Sequence, residues 1–225
     1  LQLFFKKDDL PFFKVPMSAY DCSLYLITPE TLPPGFADTL ARALDAGQVA
    51  AVQLRLKHVD DDAWRRAIDL VRPVVQSHGA AMILNDRPDL AVATGCDGAH
   101  VGDGDMEAAE ARRVLGKQLQ LGVSCYDSRD AALRAGEAGA DYVAFGAFFP
   151  SGTKDTGFRA DLDLLSWWSD LMEPPVVAIG GIKAENCAPL VRAGANFLAV
   201  VGAVWNHPDG PAAGVRALNA AIAAA

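Results

Sequence analysis

From residue 24 onward, short apolar runs alternate with longer segments whose apolar positions recur every three to four residues. The runs predict strands at 24–28, 50–57, 81–85, 98–102, 119–125, 142–149, 176–182 and 197–205. The helical period predicts helices at 37–46, 61–77, 106–115, 128–138, 184–193 and 214–224. Strict alternation implies parallel strands joined by helical crossovers, as either a closed barrel or an open doubly wound sheet. No glycine-rich dinucleotide fingerprint follows the first strand, and eight units in this length fit an α/β chain folded as one (β/α)8 TIM barrel. Thr94-Gly95-Cys96-Asp97, Ala138-Gly139-Ala140-Asp141 and Ala193-Gly194-Ala195-Asn196 echo one another, each offering a glycine stop between a helix and the next strand.

The barrel domain accounts for residues 21–225, and residues 1–20 read as an N-terminal extension. Lys6, Lys7, Asp8, Asp9 and Pro11 interrupt the apolar positions of that extension, which argues against a signal peptide. Hydrophobic residues make up 51% of the chain, enough for one large core, yet no stretch approaches the ~18 apolar residues of a membrane span. A net charge of −8 argues against nucleic acid or an anionic membrane as partner. Phosphorylated small molecules would need a local cluster of donors. Cys22, Cys96, Cys125 and Cys187 are far apart, which suggests neither zinc nor a disulfide framework and makes a cytoplasmic location the default. The oligomeric state is open, a homo-oligomer included.

In such a barrel, polar side chains gathered at C-terminal strand ends point to an active site. In Val52-Gln53-Leu54-Arg55-Leu56-Lys57, alternation puts Gln53, Arg55 and Lys57 on one face, aimed at the barrel mouth, where buried cations call for an anion. A solvated edge strand would give the same pattern in an open sheet. The third strand ends in Asn85-Asp86, and the fourth runs into His100-Val101-Gly102-Asp103-Gly104-Asp105. Asp86 and Asp105 suit Mg²⁺ completed by phosphate and water, and helix capping is an equally common use of aspartate. Ser124 ends the fifth strand without the nucleophile elbow or triad order of a hydrolase, and His100 reads as structural. Ser151, Gly152, Thr153 and Lys154 follow the sixth strand and suit phosphate oxygens. Gly181 lies at the end of the seventh predicted strand and Val201 and Gly202 lie within the eighth, beside the loops where these barrels bind phosphate, and missing side chains let backbone N–H groups approach a ligand. Tight packing alone would also favour glycine there.

Taken in order, Gln53-x-Arg55-x-Lys57, Asn85-Asp86, His100-Val101-Gly102-x-x-Asp105, Gly122-x-Ser124, Gly146-x-x-Phe149-Pro150-x-x-Thr153-Lys154, Ala178-Ile179-Gly180-Gly181-Ile182 and Val200-Val201 resemble the thiamine-phosphate synthase family. The resemblance implies a transferase of thiamine biosynthesis, joining hydroxymethylpyrimidine diphosphate to hydroxyethylthiazole phosphate with Mg²⁺ as cofactor. It implies Mg²⁺ on Asp86 and Asp105, and the pyrimidine diphosphate on Gln53, Arg55, Lys57 and Asn85. Ser124 and Lys154 would be the catalytic groups beside the reacting carbon. The thiazole phosphate would sit on Ser151, Gly152, Thr153, Gly181, Val201 and Gly202. Four positions depart from the family pattern: Asp103 for glutamine, Ser151 for threonine, Gly202 for serine and Tyr126 for histidine. The rival readings are a metal-independent thiazole tautomerase, whose proton shuttle would need a histidine where Tyr126 stands, and a non-catalytic thiamine-precursor binding protein.

Overall fold

The computed structural model describes residues 22–102, 106–150 and 159–225. Eight parallel strands close into one barrel in sequence order: β1 (Ser23–Ile27), β2 (Val49–Leu54), β3 (Ala81–Asn85), β4 (Gly98–Val101), β5 (Gln120–Tyr126), β6 (Tyr142–Phe145), β7 (Val176–Ile179) and β8 (Phe197–Val200). Around them run α1 (Phe36–Leu44), α2 (Asp61–Ser77), α3 (Pro88–Thr94), α4 (Ala108–Leu115), α5 (Arg129–Glu137), α6 (Leu162–Leu171), α7 (Ala188–Arg192), α8 (Gly202–Trp205) and α9 (Pro211–Ala223). The closed order excludes the open sheet.

Helix α2 has the predicted bounds because its signals are local. Asp60 caps it by accepting from Ala63 N–H at 2.8 Å, and Trp64, Ile68, Val71 and Val75 form one buried stripe. Where the reading overran, glycine or a mixed apolar run blurred the strand end. β2 stops at Leu54, not at 57; β6 stops at Phe145, not at 149; β7 stops at Ile179, not at 182. The predicted strand 197–205 is a strand only to Val200, and residues 202–205 form α8, because an unbroken apolar run does not tell strand from helix. Helix α3 was missed because seven residues are too few to show a period, and α6 because its apolar residues, Trp167 and Trp168 among them, spread around the helix.

Alternation along the strands divides the core in two. Leu24, Leu26, Val52, Leu54, Met82, Leu84, Val143 and Phe145 face outward beneath the helices. Tyr25, Ile27, Ala51, Ala81, Ile83, Tyr142, Ala144, Phe197 and Ala199 fill the barrel interior. The small residues there make room for the rings. At Gly122 a Cβ would lie 2.1 Å from the Tyr142 ring, so the tyrosine occupies space that only glycine leaves.

The three echoes prove to share more than a glycine stop. Asp97 accepts from Met82 N–H at 2.7 Å, Asp141 from Leu121 N–H at 2.7 Å, and Asn196 from Val176 N–H at 2.8 Å. Each returns its own N–H to the carbonyl of the same residue. The result is a side-chain staple between the bases of β3 and β4, β5 and β6, and β7 and β8, satisfying a backbone donor near the start of a strand.

Candidate active site

The polar strand ends meet at the C-terminal mouth of the barrel. On β2 the predicted trio is divided, since alternation holds only as far as the strand does. Gln53 is buried inside the barrel, whereas Arg55 and Lys57 lie beyond the strand end, half-buried and exposed respectively. The backbone N–H of Arg55 donates to the buried Thr28 hydroxyl at 3.0 Å, fixing this segment against the end of β1. Both cations share Glu30, at 2.6 Å from Arg55 and 3.5 Å from Lys57. The Arg55 hydrogen bond first, then the charges of Arg55 and Lys57, hold the Glu30 carboxyl below the usual range. Sequence reasoning missed Glu30, because a lone carboxylate in the Pro29-Glu30-Thr31 turn carries no signal of the two cations it meets.

Asp86 stands at the end of β3 with a left-handed φ of 60°. Asn85 Nδ2 donates to its carboxylate, and its own N–H donates to the His100 carbonyl at 2.8 Å. Neither Arg87, at the cap position of α3, nor Glu107, at that of α4, makes a side-chain cap bond. Arg87 itself is paired with Asp61 and Asp89, each at 2.7 Å. Asp103 and Asp105 follow β4, whose His100 pairs in register with Asn85, but they lie outside the described residues. Among the described residues, no three His, Cys, Asp or Glu side chains converge on a metal position.

On β5, Ser124 Oγ lies 2.9 Å from His100 Nε2, so the histidine taken as structural touches a candidate site residue. The neighbouring Cys125 is buried and its thiol is pushed up to about 12 by desolvation, which removes it as a nucleophile at neutral pH. Tyr126, also at a left-handed φ of 56°, follows a break in the β5–β6 register after Ser124.

The opposite side of the mouth is made of backbone. The segment after β6 donates from Phe148 and Phe149 N–H to the carbonyls of Ile179 and Gly180 at 3.2 and 3.0 Å. Gly181 has a φ of +65°, and a Cβ there would lie 2.4 Å from the Pro150 carbonyl oxygen. Packing therefore already requires this glycine. Asn186, which sequence reasoning also missed, holds the turn by donating to the Gly181 carbonyl at 3.0 Å and accepting from Lys183 N–H at 2.8 Å. Val201 and Gly202 open α8, which Trp205 pins to β1 by donating to the Ile27 carbonyl at 2.6 Å. Ser151, Gly152, Thr153 and Lys154 lie outside the described residues, as do residues 1–20. Among the described residues, no helix is long and apolar enough to cross a membrane.

Comparison with known proteins bears on this mouth directly. A sequence model described as thiamine monophosphate synthase matches residues 24–204, which spans every strand from Leu24 onward. A thiamine-phosphate synthase of Rhodospirillum centenum is 60% identical over 200 residues, covering 88% of this chain and 97% of its own. One from Erythrobacter litoralis is 48% identical over 206 residues, covering 90% and 96%. Among solved structures, a thiamine phosphate pyrophosphorylase from Pyrococcus furiosus superposes with a TM-score of 0.80 at 29% identity, covering 92% and 98%. The chain belongs to the thiamine monophosphate synthase family and is a transferase on a (β/α)8 barrel.

Proposed function

We propose that the chain joins hydroxymethylpyrimidine diphosphate to hydroxyethylthiazole phosphate, giving thiamine phosphate and diphosphate. The observation that carries this reading is the division of the mouth into two unlike halves. The β1–β5 side gathers Arg55, Lys57, Asn85, Asp86 and Ser124, which suits a diphosphate that must leave as an anion. The β7–β8 side offers glycine-lined backbone at Gly181 and the start of α8 at Gly202, the position at which this fold commonly takes a phosphate.

In this reading Arg55 and Lys57 release Glu30 and bind the diphosphate oxygens. Gln53 and Asn85 orient the pyrimidine. The C–O bond to diphosphate breaks with its electron pair on the leaving group, the aminopyrimidine carries the methylene cation, and the thiazole nitrogen forms the new C–N bond. Ser124 and Lys154 stand beside that carbon as donors, and Ser151, Gly152, Thr153, Gly181, Val201 and Gly202 hold the thiazole phosphate. No covalent nucleophile is needed; catalysis is positioning and charge stabilisation. The residues fit Mg²⁺: the Asp86 carboxylate stands at the end of β3 beside the Asn85 amide, and Asp105 would join it as a second hard oxygen ligand. Bound there, Mg²⁺ would neutralise charge on the departing diphosphate.

The test is diphosphate release by the full chain. Release that requires Mg²⁺ and both substrates is the expected result. Isomerisation of a thiazole carboxylate phosphate without metal would transfer the case to a tautomerase, and binding of either precursor without turnover would make the chain a binding protein.

A further inference from the structure

Below the mouth, five inward-facing side chains from five strands form one unbroken hydrogen-bond chain. Gln53 Nε2 donates to Tyr25 Oη at 3.2 Å, and the Tyr25 and Tyr142 hydroxyls meet at 2.9 Å. Tyr142 Oη lies 3.2 Å from His100 Nδ1, and His100 Nε2 lies 2.9 Å from Ser124 Oγ. Gln53, Tyr25, His100 and Tyr142 are all buried.

The Ser124–His100 contact admits two opposite chemistries. If Nε2 accepts from Ser124, the pair is a nucleophile with its base. If Nε2 donates, Ser124 accepts, and its own proton turns toward the mouth for substrate. The choice is made at the far end of the chain. Burial pushes both phenols well above their usual pKa, so each keeps one proton to give. With the Gln53 amide donating to Tyr25, the Tyr25 proton passes to Tyr142 and the Tyr142 proton to His100 Nδ1. In the reverse sense Tyr142 would donate to Tyr25, whose own proton would then face the Gln53 Nε2 donor. Leaving a buried hydroxyl proton unbonded is costly.

We propose that Tyr142 is a positioning residue that relays the direction set at Gln53 to His100. It keeps the imidazole proton on Nε2 and makes Ser124 a hydrogen-bond donor to substrate instead of a nucleophile. Gly122 serves the same end, since any side chain there would displace the Tyr142 ring. The effect on turnover rests on the synthase reading above; the state of the His100 ring does not.

Ring-nitrogen NMR of the full chain tests the relay. The sequence has four histidines, and the His100 signals are identified by their loss in His100→Gln. The expected wild-type state is neutral with the proton on Nε2. Gln53→Glu supplies a carboxylate that only accepts, so it reverses each bond and moves the proton to Nδ1. Adding Tyr142→Phe, which keeps the ring and removes the hydroxyl, cuts the relay, so that Gln53→Glu no longer changes the state of the His100 ring. A wild-type proton on Nδ1 or on both nitrogens overturns the proposal, as does a Gln53→Glu effect that survives Tyr142→Phe. A serine-directed phosphonylating probe should leave Ser124 unmodified, and labelling of it would equally overturn the idea. In turnover, Tyr142→Phe alone should lower kcat roughly 10- to 100-fold with KM for the pyrimidine diphosphate changed by no more than about twofold. An unchanged kcat removes the positioning role. If the wild type shows no synthase turnover while His100 responds as described, the synthase reading fails and the relay stands.

Discussion

The two ends of the barrel use the same side chains for different ends. At the base, Asp97, Asp141 and Asn196 accept from backbone N–H groups of a neighbouring strand, and no solvent or ligand competes for those donors. At the mouth, Asp86 is bound by a neighbouring side-chain amide, and Glu30 by two cations at the edge of solvent. Those partners can exchange for a ligand. A carboxylate bonded to the backbone holds the fold, whereas one bonded to side chains at the mouth is available for chemistry. Substitutions at the two ends should therefore separate stability from turnover.

The largest effect is expected at Asp86. Asparagine tolerates a left-handed backbone as readily as aspartate, so Asp86→Asn keeps the conformation at φ 60° and removes only the charge. If Asp86 holds Mg²⁺ as proposed, losing a ligand worth several kcal/mol lowers turnover by about 10²–10³-fold, with Tm within ~2 °C of the wild type. Unchanged turnover at limiting Mg²⁺, or a large fall in Tm, would place Asp86 with the base carboxylates. Asp141→Ala should behave in the opposite way. It strips the bond from Leu121 N–H and the ion pair from Arg112, for a loss of roughly 2–3 kcal/mol and a Tm lower by about 5–10 °C. Its kcat/KM should stay within about twofold of the wild type, and a specific kinetic defect would break the division between the ends.

Gly181→Ala tests a mouth residue at which packing and the proposed phosphate contact coincide. The left-handed φ and the contact with the Pro150 carbonyl predict a destabilisation of roughly 1–3 kcal/mol, read from chemical denaturation. If the same turn also holds a phosphate, KM for the thiazole phosphate should rise while that for the pyrimidine diphosphate does not. A stability loss with both KM values unchanged would make Gly181 a packing residue alone.

What the sequence reveals follows the range of each interaction. Strand order, the bounds of α2 and the inward direction of Gln53 follow from neighbours within one turn or one pleat, and all are legible. The base echoes are visible as glycine stops, but the partners of Asp97 and Asp141 lie fifteen and twenty residues away, on the preceding strand, which the helical crossover brings alongside. Alternation likewise assigned Arg55 and Lys57 to the inner face by counting past the end of β2, where the pleat no longer applies. Tyr25 and Tyr142 fall in predicted strands and His100 reads as structural, yet their meeting across the interior depends on which strands the barrel sets face to face. Asp105 and the 151–154 segment, which the resemblance makes central, lie outside the described residues, and Asp86, Arg55 and Lys57 are the described residues on the proposed diphosphate side.

The smallest effect expected at the mouth concerns Glu30, and it decides whether Arg55 belongs to the ligand or to the fold. Arg112, near the base, is held by the carbonyls of Gly116, Leu119 and Gly139 as well as by Asp141, so nothing could displace its partners without unfolding. The Arg55 guanidinium has Glu30, and Glu30 is half-exposed. If an incoming diphosphate displaces it, Glu30→Gln should strengthen binding of inorganic diphosphate. Exposed ion pairs are worth about 0–1 kcal/mol, so the gain should not exceed about fivefold. The gain should fade as salt rises from ~0.1 M to ~1 M and the screening length shrinks from ~10 Å to ~3 Å. The pH dependence has a definite sign. Because Arg55 and Lys57 hold the Glu30 carboxyl below its ordinary range, the contact persists through mild acid and is lost only as pH falls through that lowered value. Wild type and variant should therefore differ by calorimetric titration at pH 7 and still differ near pH 5. Equal or weaker diphosphate binding by Glu30→Gln would show that Arg55, like Arg112, serves the protein and not the substrate.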